Sequence, residues 1–202
     1  MDAMTKALFE QRSTLASGQQ PFSTSSQGSM VDQSSIVWVP DDDKVFVQGE
    51  LIDEKVTKDK SNRELAISIV RVAGHEKKFT QADVCPVNPS TFDKVDDMSE
   101  LTHLNEPSVL YNLENRYQDD LIYTYSGLFL VAINPYSNVR IYTQEYMNLY
   151  HGSPKEDNKP HIFALAEEAY QKLLSVKQDQ SVLVTGESGA GKTENTKRIL
   201  QY

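Results

Sequence analysis

A small all-β unit followed by an α/β domain is the fold class this sequence predicts, and three observations carry it. Between residues 35 and 89, short β-rich runs alternate with charged turns. From residue 90 onward two apolar β runs meet at a Ser-Gly pair, and a long segment with helical periodicity follows from Pro160. Finally, an apolar run, a glycine-rich loop and a helix-forming segment occupy residues 181–202 in that order.

The first 34 residues stand apart. From Ser13 to Ser35 the chain is mostly Ser, Thr, Gln and Gly, with Phe22, Met30 and Val31 almost the only large apolar side chains. Such a segment cannot offset its ordering entropy by burial. Residues 1–34 are therefore expected to be a flexible arm, 35–89 the β unit and 90–202 the α/β part.

Within the β unit the expected strands are Ile36–Val39, Val45–Ile52 and Leu65–Val72, with Phe79 and Val84 in a last run. Val45, Val47 and Leu51 fall on one face of the second strand and Phe46, Gln48 and Glu50 on the other, the period-2 signal of a half-buried strand. A unit this short reads as a small barrel or meander. Asp41-Asp42-Asp43 reads as a solvated turn, because three consecutive carboxylates cannot converge on one ion from a strand. Trp38, a single tryptophan inside a β run, reads as core.

In the second part Pro107 marks the first turn of a helix through Leu110 and Leu113 to about Tyr117. Leu121–Tyr125 and Leu128–Ile133 flank Ser126-Gly127, which predicts a hairpin with a two-residue connection. Pro160 opens a helix whose Ile162, Leu165, Ala166, Ala169, Leu173 and Val176 recur at helical spacing, so one face is expected to be buried. Ser181–Val184 is apolar without alternation, which predicts a central strand covered on both sides.

The next residues carry the chemistry. Gly186-Glu187-Ser188-Gly189-Ala190-Gly191-Lys192-Thr193 matches G-x-x-x-x-G-K-[ST] between an expected strand and an expected helix over Lys192–Tyr202. The loop must wind round a phosphate with successive N–H groups pointing inward, and glycine permits the backbone angles. The helix N-terminus adds partial positive charge, Lys192 reaches the β and γ phosphates, and the Thr193 hydroxyl can ligate Mg²⁺. The fold is accordingly expected to be a partial α/β P-loop NTPase domain with a mixed sheet.

Composition bounds the partners. The net charge is −9 over 202 residues, which argues against a nucleic-acid or anionic-lipid surface. Apolar residues make up 39%, below the usual ~45–50%, as a solvated arm would cause. No run of about 20 apolar residues suggests a membrane span. The single cysteine, Cys85, rules out an intrachain disulfide and reads as packing beside Pro86, and a cytoplasmic location is the natural expectation. His75, His103, His151 and His161 lack metal-ligand spacing and read as solvated or capping residues.

A family resemblance enters at the loop. GESGAGKTENTKRILQY, from Gly186 to Tyr202, resembles the phosphate-binding loop of myosins almost residue for residue. Upstream, Asn134-Pro135 followed by Tyr142 resembles the N-P-x-x-x-x-x-x-Y segment that lines the adenine pocket of myosins, and SGLFLVAINPY fits the run leading into it. HLNEPSVLYNLENRY is similar to class II myosins, and the β unit resembles their N-terminal SH3-like barrel. The resemblance implies ATP and Mg²⁺ as ligands, Asn134 as a polar partner of the purine and Tyr142 as its flat neighbour. Glu194 and Asn195, just inside the final helix, are candidates for contact with the triphosphate or ribose, against the ordinary reading of first-turn polar residues as caps. In this sequence Ser137-Asn138 precede Val139-Arg140, so the positive charge found mid-segment in several myosins is displaced.

For the parent protein the resemblance implies ATP hydrolysis coupled to movement on actin filaments, light chains, dimerisation through a coiled-coil tail and a cytoskeletal location. It further implies that the switch loops follow Tyr202 and that no catalytic residue lies within these residues. The segment by itself is expected to be inactive, since nothing in it is placed to orient a water. It is also expected to fold poorly, since Ser181–Val184 expects strand neighbours on both sides and the helix from Pro160 to Val176 would leave much of its apolar stripe exposed. Two rival readings fit the same residues. One is another P-loop NTPase such as a kinase or GTPase, although no guanine-reading N-K-x-D pattern is present. The other is an adaptor in which the loop only senses nucleotide.

Overall fold

The structure is a computed structural model that describes residues 35–58 and 64–202. The arm expected over residues 1–34 lies outside the described residues. The chain divides into two compact units, one reaching Asp93 and including Thr102–Tyr111, the other comprising Lys94–Leu101 and Asn112–Tyr202. Among the described residues no helix is long and apolar enough to cross a membrane.

The first unit is an antiparallel sheet of β1 (Ile36–Asp41), β2 (Val45–Lys58), β3 (Glu64–Val72), β4 (His75–Thr80) and β5 (Cys85–Pro86), in the order β4-β3-β2-β1-β5. Alternation places Val37, Val39 and Val70 in one buried cluster, against which Val47, Leu51, Val72, Phe79 and Val84 pack. Strand β2 runs six residues past the expected end at Ile52, through a register irregularity between Leu51 and Asp53. Pairing with β3, out to Lys58 opposite Glu64, carries this extension. Burial does not, since Val56 is 69% exposed. Phe79 and Val84 belong to no common run, because a 3-10 turn over Gln81–Asp83 separates β4 from β5.

The aspartate run closes the β1–β2 turn, with Asp41 Oδ1 accepting from the backbone N–H groups of Asp43 and Lys44, each at 3.1 Å. Trp38 is buried, its ring centroid 5.3 Å from that of Tyr111. Cys85 is half-buried in β5 opposite Trp38, consistent with packing.

Gly49 sits where β2 crosses this core, and a Cβ there would meet Val70 Cγ1 at 2.5 Å, Arg71 O at 3.0 Å and Val72 Cγ2 at 3.0 Å. One of the three is backbone and Val70 is fully buried, so neither side can retreat easily. Gly49→Ala is expected to cost about 1–3 kcal/mol by overpacking, less the few tenths that alanine returns in chain entropy. The urea midpoint followed by Trp38 fluorescence measures this, and an unchanged midpoint refutes it.

In the second part, α1 (Glu106–Gln118) starts from Asn105, whose Oδ1 accepts from the Ser108 N–H at 3.0 Å, with Pro107 in the first turn as expected. Near its other end Arg116, itself part of the second unit, is buried and spends its donors within that unit. Nε bonds Thr124 Oγ1 at 2.9 Å, Nη1 bonds Lys94 O at 3.0 Å and Asp96 Oδ1 at 2.6 Å, and Nη2 bonds Tyr123 O at 2.9 Å. This fixes the hairpin of β6 (Tyr123–Ser126) and β7 (Phe129–Ala132). Ser126 pairs with Phe129, so the connection is Gly127-Leu128, one residue beyond the predicted Ser126-Gly127. Gly127, at φ +59°, takes the left-handed conformation the turn needs, which leaves Ser126 in the ladder.

The unit continues with α2 (Gln144–Tyr150), α3 (Ile162–Val176) and α4 (Lys192–Gln201). Its core gathers Tyr117, Ile122, Tyr123, Tyr150, Ile162, Phe163 and Ala164. The predicted stripe of α3 is buried only in its first half, and Leu173 and Val176 are 44% and 56% exposed. Burial follows the neighbours. Phe163 packs on Tyr202, and the buried Glu167 accepts from Gly152 N, Gln171 Nε2 and Tyr202 Oη, each at 2.7 Å. Burial alone would raise the Glu167 pKa, but these donors and His151 outweigh it and hold the carboxyl below its ordinary value.

The strand predicted at Ser181–Val184 does not form. These residues are irregular, and Leu183 is 87% exposed. A strand persists through its ladder, and among the described residues none pairs with this run. The second unit's sheet is the β6–β7 hairpin, with an isolated parallel bridge from Asp97 to Tyr125.

Candidate functional site

The glycine-rich loop is wound by its own glycines. Gly186, Gly189 and Gly191 have φ of +144°, +81° and +99°, angles that L side chains adopt only under strain. At Gly186 a Cβ would stand 3.3 Å from that of Ala190, so the spacing of the motif matches a tightly closed loop. Inside it Ala190 N–H donates to Glu187 O at 3.2 Å. Gly191 is the N-cap of α4, followed by Lys192 and then Thr193, which is exposed. The first N–H groups of a helix have no intrahelical acceptor, so this end presents amide donors beside the loop. The Lys192 ammonium lies across the loop, donating to Gly186 O and Glu187 O at 2.7 Å each.

The chain leaving β7 comes back to this loop. Asn134 Nδ2 donates to Gly189 O at 2.9 Å and its Oδ1 accepts from Tyr136 N–H at 3.0 Å. Pro135 O accepts from the Tyr117 hydroxyl at 3.2 Å. Tyr142, in the residues just before α2, meets both β6 and the loop helix. Its hydroxyl lies 2.8 Å from that of Tyr123, and the Arg198 guanidinium sits 4.2 Å over its ring. Asn195 Nδ2 donates to Gly191 O at 3.1 Å, which leaves Oδ1 to accept the Tyr123 hydroxyl proton at 2.9 Å. Tyr142 must then donate to Tyr123. Burial raises the pKa of both phenols, so this relay stays protonated at neutral pH.

These segments enclose a cleft of about 170 Å³. Asn134, Pro135, Tyr142, Ala190, Gly191 and Asn195 line it, so the two sequence-predicted groups meet. Glu187, Ser188, Gly189, Lys192 and Thr193 form the adjoining loop and helix start. Ser137 and Asn138 also line the cleft, whereas the cation on its wall is Arg198. Sequence reasoning missed Arg198 and Tyr123. The helical step from Asn195 to Arg198 was an available signal for the first; a partner 72 residues away left none for the second.

Behind Tyr142 lies His161, 3% exposed, with the rings of Tyr123, Tyr150 and Phe163 at centroid distances of 5.1, 5.0 and 4.7 Å. Its Nδ1 accepts from Phe163 N–H at 3.0 Å and so caps α3. Burial lowers its pKa to about 4, leaving a neutral ring at pH 7.

The chain has matching relatives. Residues 95–202 match the family model described as myosin head (motor domain). The chain is 56% identical to "Myosin-1" of Saccharomyces cerevisiae, covering 87% of this chain and 10% of that protein. It is 49% identical to "Myosin type-2 heavy chain 1" of Schizosaccharomyces pombe, over 85% of this chain and 11% of the relative. Identity to "Myosin heavy chain, non-muscle" of Drosophila melanogaster is 44%, over 84% and 8%. The chain thus spans about a tenth of the length of the curated relatives it matches.

Proposed function

The chain belongs to the myosin head (motor domain) family, and from that premise we propose that it forms the Mg·ATP cradle of an actin-based motor. The observation that carries the reading is the closed loop with three positive-φ glycines, its lysine and the helix N-terminus, set beside the cleft lined by Asn134, Pro135, Tyr142 and Asn195. The loop and the first amides of α4 hold the phosphates, Lys192 follows the terminal phosphate, and the Thr193 hydroxyl ligates Mg²⁺. The cleft takes the base. When bound, Mg²⁺ would be held by the Thr193 hydroxyl and would supply charge neutralisation to the phosphates. None of the residues of this site is assigned the role of orienting the attacking water.

In the protein as a whole, hydrolysis drives movement along actin filaments, in a cytoplasmic, cytoskeletal setting. The similarity to proteins named as type-2 and non-muscle heavy chains supports a class II heavy chain with light chains and a coiled-coil dimer. We assign residues 35–89 to an SH3-like β barrel, on the support of its five-stranded antiparallel sheet, and residues 90–202 to the start of the motor domain.

Thr193 provides the test. Because Gly191 holds the N-cap, the Thr193 hydroxyl is not spent on capping, and Thr193→Ala is expected to raise the Mg²⁺ concentration needed for ATP hydrolysis by the intact protein while Thr193→Ser restores it. Wild-type Mg²⁺ dependence in the alanine variant overturns the metal assignment.

A further inference from the structure

We infer that Asn134 is a positioning residue that sets the shape of the phosphate loop, and that it does not read the base. Both ends of its amide are already engaged: Nδ2 with Gly189 O at 2.9 Å and Oδ1 with Tyr136 N–H at 3.0 Å. The bond to Gly189 spans 55 residues of sequence and joins the exit of β7 to the loop. It falls on a peptide that is otherwise easy to turn. Gly189 has φ +81°, and glycine visits both signs of φ at similar cost, so the Gly189–Ala190 peptide has little intrinsic preference for one orientation. Two bonds choose for it. The Ala190 N–H is held by Glu187 O at 3.2 Å, and the Gly189 carbonyl is held by Asn134 from outside the loop.

The consequence is electrostatic. A carbonyl held outward cannot turn its negative end toward a bound phosphate, and loop donors that need no reorientation on binding lose less free energy to ordering. At the other end of the loop Asn195 makes the same kind of bond, Nδ2 to Gly191 O at 3.1 Å, with its Oδ1 taken by Tyr123. Base contact is thereby left to the other groups of the cleft, Tyr142 and Arg198 among them.

The inference rests on the loop being the phosphate site, and ligands with and without a base separate the two. Titration calorimetry of the intact protein with Mg·ATP, Mg·GTP and Mg·tripolyphosphate is compared for wild type, Asn134→Ala and Asn134→Ser. Serine keeps an oxygen that can accept from Tyr136 N–H but is too short to reach Gly189. Both variants are expected to weaken ATP and tripolyphosphate by the same factor, about three- to tenfold, with the ATP-to-GTP ratio unchanged. Loss of ATP affinity without loss for tripolyphosphate makes Asn134 a base reader and overturns the inference. Wild-type affinity in Asn134→Ser overturns it as well, since the turn bond alone would then account for the residue. Should wild type bind none of the three ligands, the phosphate-site reading falls first.

Discussion

Lys192→Ala is expected to weaken ATP binding by the intact protein about ten- to a hundredfold. The ammonium spans the loop between Gly186 O and Glu187 O, on a flexible stem that can swing onto a phosphate. Two neutral carbonyl acceptors are exchanged for phosphate oxygens, and hydrogen bonds between charged partners are worth roughly 1.5–3 kcal/mol each. One such bond corresponds to about ten- to a hundredfold in affinity. Charge matters more than bulk here. In the variant the loop keeps its glycine-determined path, because the angles at Gly186, Gly189 and Gly191 do not depend on the lysine. Equilibrium titration with Mg·ATP gives the answer, and an unchanged dissociation constant sinks the role assigned to Lys192.

The loop was legible because the motif is local: glycine spacing specifies its path, and the lysine follows it. The hairpin was legible for the same reason, although the turn slipped by one residue, since Ser126 suits a turn and a ladder equally. Long-range partners set what was missed. Nothing near Arg116 signals that Thr124, Lys94, Asp96 and Tyr123 will consume its donors. Glu167 sits in an amphipathic pattern as an ordinary charged residue, yet Tyr202, Gln171 and Gly152 bury it. Ser181–Val184 shows the converse failure. Its composition suits a buried strand, but composition does not supply the neighbour whose ladder makes a strand. Asn134 and Tyr142 were found through their likeness to a known segment, and their contacts came only from the fold.

His161 is expected to make the second unit acid-labile over a defined range. Its folded pKa of about 4 lies below the ordinary histidine value of 6.5, so the unfolded chain binds the proton more tightly. Above pH 6.5 the ring is neutral in both states and contributes no pH dependence. As pH falls through 6.5 the unfolded state gains protons first, and stability declines until the folded ring also titrates near pH 4. Linkage puts the loss at about 2 kcal/mol by pH 5 and about 3 kcal/mol at the lower limit. The ring cannot relieve this by moving, because Nδ1 caps α3 and aromatic rings enclose it. Protonation would also replace the Nδ1 acceptor by a donor facing Phe163 N–H, which removes the cap. Glu167 adds its own loss only at lower pH, since its carboxyl is held below 4.5. Amide protection of α3 in the intact protein, corrected for intrinsic exchange, should therefore fall between pH 6.5 and 4.5. In His161→Asn the cap acceptor survives and the titrating group is gone, so protection should start lower from lost packing and stay level over that range. Protection that is flat in wild type, or that falls equally in His161→Asn, would place the acid sensitivity elsewhere.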